Sequence, residues 1–280
     1  MASTIKKAVL AASISLASLN AQATLTSYNA NGLDLVYSSV SNVSWTKDGN
    51  LLGSMMASDS DLVNKIIAAS PTITNIPNIL SPSGTYNLQT EDFNVSWSGE
   101  THVPGQTTWF GAMAFINYLN SISYGGSNQW RLPTITDLGT VGCEYSFNGT
   151  DCGFNVFTNG NVLGNELAEL YHQELGSKSL YNTNGKSQLS YGIVDSNNQF
   201  ANIADLYWSG SQYTEPGIES SAWGFDTNRG EQDSYAMIFP FYAWAITSGQ
   251  IAAVPEPENL SMLLAGLGLL GIAIRRNKKA

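Results

Sequence analysis

With 280 residues, 43% of them hydrophobic and 11% aromatic, the chain can bury a sizeable core, which excludes a disordered polymer and favours one large domain over several small ones. Only 12% of residues are charged, so Ser, Thr, Asn and Gly must supply most of the polar surface, as in many exported bacterial proteins. Six of the twelve cations (Lys6, Lys7, Arg275, Arg276, Lys278, Lys279) and two acids (Glu256, Glu258) lie near the ends; the stretch between keeps six cations against twenty acids, a formal charge of −14. That balance excludes nucleic acid as a partner and disfavours anionic polymers.

The first residues read as an export signal. Lys6 and Lys7 form a basic region, residues 8–19 are apolar and small, and Ala21-Gln22-Ala23 fits the small-x-small rule of signal peptidase. Residues 1–23 are therefore expected to be removed, leaving an exported domain over 24–250.

Residues 33–45 alternate apolar and polar positions around a Ser-rich turn and predict a hairpin. Lys47-Asp48-Gly49-Asn50 supplies turn chemistry, and residues 58–69 predict a helix with Leu62, Ile66 and Ala69 on one face and Pro71 beyond its end. Residues 70–105 are rich in Pro, Asn, Ser and Thr with little period, and read as a long loop or insertion. Over 107–121, Trp109, Ala112, Met113, Ile116 and Leu119 recur at intervals of three and four, which predicts the best amphipathic helix in the chain, capped by Thr107 or Thr108.

Residues 125–138 concentrate the most local information. Gly125 and Gly126 suit positive φ, Trp130 and Leu132 flank Arg131 on a short strand, and Pro133 pushes the preceding residue out of the α region. Thr134 then reads as a helix N-cap, with Asp137 in the capping-box position and Ile135 and Leu138 facing inward. For Arg131, flanked by two core-type residues, the expected partner is Asp137 or Glu144. Cys143 and Cys152 are the only cysteines; in an exported chain they are expected to form a disulfide worth roughly 2 to 3 kcal/mol by the chain-entropy argument.

A further helix is predicted over 165–175, ended by Gly176, followed by short strands near 189–194, 206–209, 222–225, 235–239 and 242–247. Helices first and strands later predict an α+β fold with few helices and short antiparallel strands. Asp226, Asn228 and Asp233 place oxygen ligands at intervals around Gly230 and make a calcium-loop candidate, although a β-turn is the ordinary reading and no cofactor is expected. Trp109, Trp130, Trp208 and Trp223 read as core; Tyr124, Tyr145 and Tyr213 are the candidate exposed contacts for a ligand. His102 and His172 fall in no nucleophile or metal motif, so the domain is expected not to be an enzyme.

At the other end stands Val254-Pro255-Glu256-Pro257-Glu258, then an apolar run over 260–274 interrupted only by Ser261, then Arg275, Arg276, Lys278 and Lys279. The prolines hold an accessible extended segment, the apolar run suits a single membrane helix, and the cations stay cytoplasmic. This three-part tail resembles the PEP-CTERM sorting signal. The resemblance implies processing by an exosortase after an inner-membrane intermediate, in a Gram-negative-type bacterium that makes extracellular polysaccharide.

The predicted helix over 107–121 followed by Trp130-Arg131-Leu132-Pro133-Thr134, with Tyr207-Trp208-Ser209-Gly210-Ser211 and Ala222-Trp223-Gly224-Phe225-Asp226 in the same order, resembles the domain at the C-terminus of bacterial collagen-like adhesins. The Trp-Arg-Leu-Pro-Thr run is also similar to one in formylglycine-generating domains, which implies a C-type-lectin-like fold. Those enzymes use cysteines late in the chain, and none follows Cys152, so fold is implied without that activity. The adhesin resemblance implies a cell-surface or matrix module that binds a glycan or an envelope protein, in connection with biofilm or exopolysaccharide. Its family's association with sulfated polysaccharides sits poorly with a charge of −14, and a secreted enzyme acting on extracellular polysaccharide is the alternative.

Overall fold

The computed structural model describes residues 25–76, 84–137, 151–156, 165–213 and 220–252. The signal-peptide segment, Leu138, Cys143, Glu144, Tyr145 and the sorting tail lie outside these residues. Among the described residues no helix is long and apolar enough to cross a membrane.

Two four-stranded antiparallel sheets frame the molecule. The first has the order β1 (Leu25–Ala30), β2 (Leu33–Ser38), β3 (Val43–Thr46) and β10 (Ile246–Ser248), so the last strand closes onto the first hairpin. Asn31 and Gly32 both take positive φ in the two-residue turn between β1 and β2, the geometry that matches the right-handed strand twist. The second sheet has the order β6 (Gly153–Phe154), β9 (Glu231–Ala236), β8 (Ser221–Asp226) and β7 (Leu206–Tyr213). Residues 58–69 do not form one helix. Asn50 caps a helix α1 (Leu51–Ser58), accepting from the Gly53 N–H, and α2 (Leu62–Ala69) follows, burying Leu62 and Ile66 but leaving Ala69 exposed.

The described parts of the stretch predicted as a loop, 70–76 and 84–105, carry regular structure. Strands β4 (Thr72–Thr74) and β5 (Thr85–Asn87) pair, and a 3₁₀ turn (Thr90–Phe93) carries the buried Asp92. Its carboxylate accepts from the Gln89 N–H at 2.8 Å, the Tyr86 hydroxyl at 3.0 Å and the Thr108 hydroxyl at 2.6 Å. Thr108 is the N-cap of α3 (Trp109–Ser121), so one carboxylate ties the supposed loop to the central helix. Helix α3 is buried on nearly every side, with Asn117 and the terminal Ser121 its exposed positions, so its apolar residues spread beyond the single stripe of a surface helix.

Helix and sheet are knitted by tryptophans. Trp109 Nε1 donates to the Ser209 carbonyl at 2.9 Å, while Trp208 Nε1 donates to the Thr107 carbonyl at 3.0 Å. All four tryptophans of the sequence motifs are buried, none more than 2% exposed.

The helix predicted over 165–175 is shorter than its period suggests: α4 (Glu166–Glu169) passes into a π turn (Leu170–Glu174) before Gly176. Residues 189–194 form no strand, and Leu189 is 92% exposed. Strand β9 starts at Glu231, earlier than predicted, and between 242 and 245 the chain makes only a single bridge, Tyr207 to Tyr242, before β10.

Candidate functional site

The Trp130–Thr134 run is a structural anchor. Trp130 exchanges two hydrogen bonds with the Asn120 side chain, at 2.7 and 2.9 Å, and its Nε1 donates to the Tyr124 carbonyl at 2.9 Å. The ion pair of Arg131 among the described residues is not with Asp137, and Glu144 lies outside them. The Arg131 guanidinium makes a two-pronged contact with Glu166, Nη1 to Oε2 at 2.9 Å and Nη2 to Oε1. Burial and proximity decide this: Glu166 is 5% exposed at the start of α4, with no other cation to neutralise it among the described ion pairs.

Nor does a helix begin at Thr134, since residues 132–137 run without regular structure. The amides that a helix start would leave open are taken by distant side chains. The Thr134 N–H donates to Glu166 Oε2 at 2.6 Å, the Ile135 N–H to Ser211 Oγ at 2.9 Å and the Thr136 N–H to Asn165 Oδ1 at 2.9 Å. Local capping chemistry was outbid by three tertiary acceptors. Upstream, Gly125 and Gly126 have φ of +60° and +83°, and a Cβ on either would lie 2.5 Å from the β1–β2 hairpin, at Leu33 or Asn31.

A recess that could receive a ligand lies elsewhere. A cleft of about 810 Å³ opens between α1, the loop ahead of α3, the segment entering β7 and the turn before β10. Helix α1 contributes Ser54 and its cap Asn50; the loop gives Trp97, Glu100 and Gln106; the opposite wall carries Asn202, Asp205 and Tyr242. Trp97 is half-buried, its ring tilted against Phe239 at 5.0 Å and Phe241 at 6.0 Å, which fixes it while it also lines the cleft. The Tyr242 phenol is pushed above its ordinary pKa by burial and then by the charge of Asp205.

Asp48, behind the lining, organises this wall. Its Oδ1 accepts from the Asn50 N–H and from Asn202 Nδ2, each at 2.9 Å, and its Oδ2 accepts from the Ser54 hydroxyl at 2.6 Å. One carboxylate thus positions three lining residues from two distant stretches of chain. Gly105 makes the approach possible: at φ +95°, a Cβ there would sit 1.9 Å from Asn50 Oδ1.

Of the sequence candidates for ligand contact, Tyr124 and Tyr213 do not line this cleft, and Tyr145 lies outside the described residues. Tyr213 is 5% exposed, its ring edge-on to Trp223 at 5.0 Å, because the bulge in β7 turns it into the interior. Tyr124 is half-buried against Trp130. Asp226, Asn228 and Asp233 are spread over a turn and a strand: the turn spans 227–230, Asp226 Oδ1 accepts from the Arg229 N–H, and Asp233 sits within β9 opposite Gly224. Among the described residues no group of three or more His, Cys, Asp or Glu side chains is placed to hold a metal ion. His102 borders a smaller neighbouring depression of about 510 Å³ and its Nδ1 contacts the Val95 carbonyl. The sequence features that line or support this cleft are a lone tryptophan in a Ser- and Gly-rich stretch and an Asp-Gly-Asn turn, both of which are ordinary when read locally.

Fold and cleft together define an α+β domain with antiparallel sheets and a polar, aromatic-edged recess. The Lcl C-terminal domain matches over residues 88–247, 160 of 280 residues, and the chain belongs to that family. A PEP-CTERM protein-sorting motif matches over 253–278, which marks the chain as an exosortase-sorted protein destined for the cell surface or the space outside it. No curated protein and no solved structure matches the chain. The family region begins after β1 to β4 and both α1 and α2, so the Asn50 and Ser54 side of the cleft is added from outside it.

Proposed function

We propose that the chain is a surface or matrix protein whose domain is a non-catalytic, adhesin-like binding module, with the cleft between α1 and β7 as its glycan site. The observation that carries this reading is the pairing of Trp97 and Tyr242 with amide and hydroxyl groups in one recess. Sugar rings present apolar C–H faces and many hydroxyls, so they are matched by an aromatic face next to fixed hydrogen-bonding groups. At about 810 Å³ the cleft has room for a short oligosaccharide. A C-type-lectin-like fold fits the mixed α+β, antiparallel architecture, and biofilm or exopolysaccharide attachment fits the sorting motif.

Calorimetric titration of purified chain with extracellular polysaccharide fragments tests the reading. Binding should be saturable and should fall at least tenfold in Trp97→Ala with the melting temperature held within a few degrees. Binding unaffected by that substitution would remove the cleft from the function. Release of reducing ends during the titration would move the assignment to a polysaccharide-cleaving enzyme, since Glu100 and Asp205 line the same cleft.

A further inference from the structure

We propose that the cleft selects oligosaccharides carrying free amino groups, of the glucosamine type, over their N-acetylated, sulfated or uronic counterparts. This rests on the glycan reading above and specifies the chemistry of the same site.

The lining carries two carboxylates, Glu100 and Asp205, and neither Lys, Arg nor His. Both residues are exposed, and neither takes part in an ion pair. Three of the six cations outside the terminal segments are already committed elsewhere, Lys65 to Asp59, Arg131 to Glu166 and Arg229 to Glu231. A third carboxylate, Asp48, stands directly behind the wall and has only neutral donors as hydrogen-bond partners. An entering ammonium would bring a cation to a lining that has carboxylates but no cation of its own, with the aromatic side chains of Trp97 and Tyr242 in the same recess. A sulfate or uronate would face the same carboxylates with no compensating cation, in a chain whose net charge already opposes it.

The hydrogen-bonding groups agree with this. Asn202 uses one of its two amide N–H groups on Asp48, and its carbonyl oxygen can accept from ammonium and hydroxyl groups alike. Asn50 spends both ends of its amide, on Gly53 and Pro104, and serves as scaffold.

The chain as recovered from cells is titrated with a glucosamine hexamer, its N-acetylated equivalent, a sulfated hexasaccharide and oligolysine. The glucosamine hexamer should bind at least tenfold tighter than the N-acetylated one, with a preference that shrinks as salt is raised. Glu100→Gln with Asp205→Asn should bring that ratio close to one without moving the melting temperature. Equal binding of the two hexamers would overturn amine selection and leave the glycan site standing. Oligolysine binding as tightly as the glucosamine hexamer would also overturn it, by showing mere charge capture. Failure of every sugar to bind would remove the glycan reading itself.

Discussion

Glu166 gathers more of the molecule than any one residue of the Trp-Arg-Leu-Pro-Thr run, because its carboxylate takes both prongs of Arg131 and both the amide and hydroxyl of Thr134. Glu166→Ala takes the carboxylate from a partly buried guanidinium, which keeps only the Leu132 carbonyl, and from the Thr134 amide, and should cost about 3 kcal/mol. For a domain of this size that corresponds to a fall of roughly 10 °C in melting temperature, read by calorimetry. Glu231 is a different case. It is 1% exposed, Oε2 meets Arg229 Nη1 at 2.9 Å, and Oε1 has no partner. Burial pushes its carboxyl from an ordinary 4.5 up to about 7, with Arg229 pulling the other way. Since the folded state holds the proton more tightly, Glu231 favours folding below pH 4.5, and that contribution is lost as pH rises through 7. Melting temperature should therefore drop between pH 5 and 8, and by less in Glu231→Gln, with a difference of up to about 3 kcal/mol. His172, lowered by burial to about 4, loses stability in the opposite direction, as pH falls below 6.5, which is why the comparison with the variant is needed.

At the scale of elements, helix α1 and the segment entering β7 form opposite walls of the cleft, and Asp48 joins them. Asp48→Ala removes three hydrogen bonds to a carboxylate and should destabilise by about 2 kcal/mol. It should also raise amide hydrogen exchange selectively at residues 201–206; unchanged exchange there would show that the walls are held by other contacts. The sequence showed some elements well: α3 was legible from its spacing, and β2 and β3 from their alternation. It showed α1 poorly, because Leu51–Ser58 has no clean apolar stripe and its start looks like an ordinary turn. Thr134 misled for a physical reason, since a good cap residue says nothing about whether Glu166, Ser211 and Asn165 will arrive to take the amides instead.

At the scale of the whole molecule, the sorting motif directs where the domain ends up. Replacing Pro255 and Pro257 with Ala should block exosortase processing and leave the full-length chain in the inner-membrane fraction, whereas normal processing would defeat the sorting claim. Intact mass measured with and without reductant would read the cleavage points and, in the same experiment, the proposed Cys143–Cys152 disulfide, since Cys152 is buried beside Asp233. Composition, the sorting motif, the family run and the helix period were available from the sequence alone, because each is written in consecutive residues or a fixed local spacing. Only the tertiary structure decided that Arg131 belongs to Glu166, that Tyr213 is interior and that Trp97, Asp205 and Tyr242 share a cleft with α1. Those facts depend on which distant segments pack together, and no short-range pattern records that.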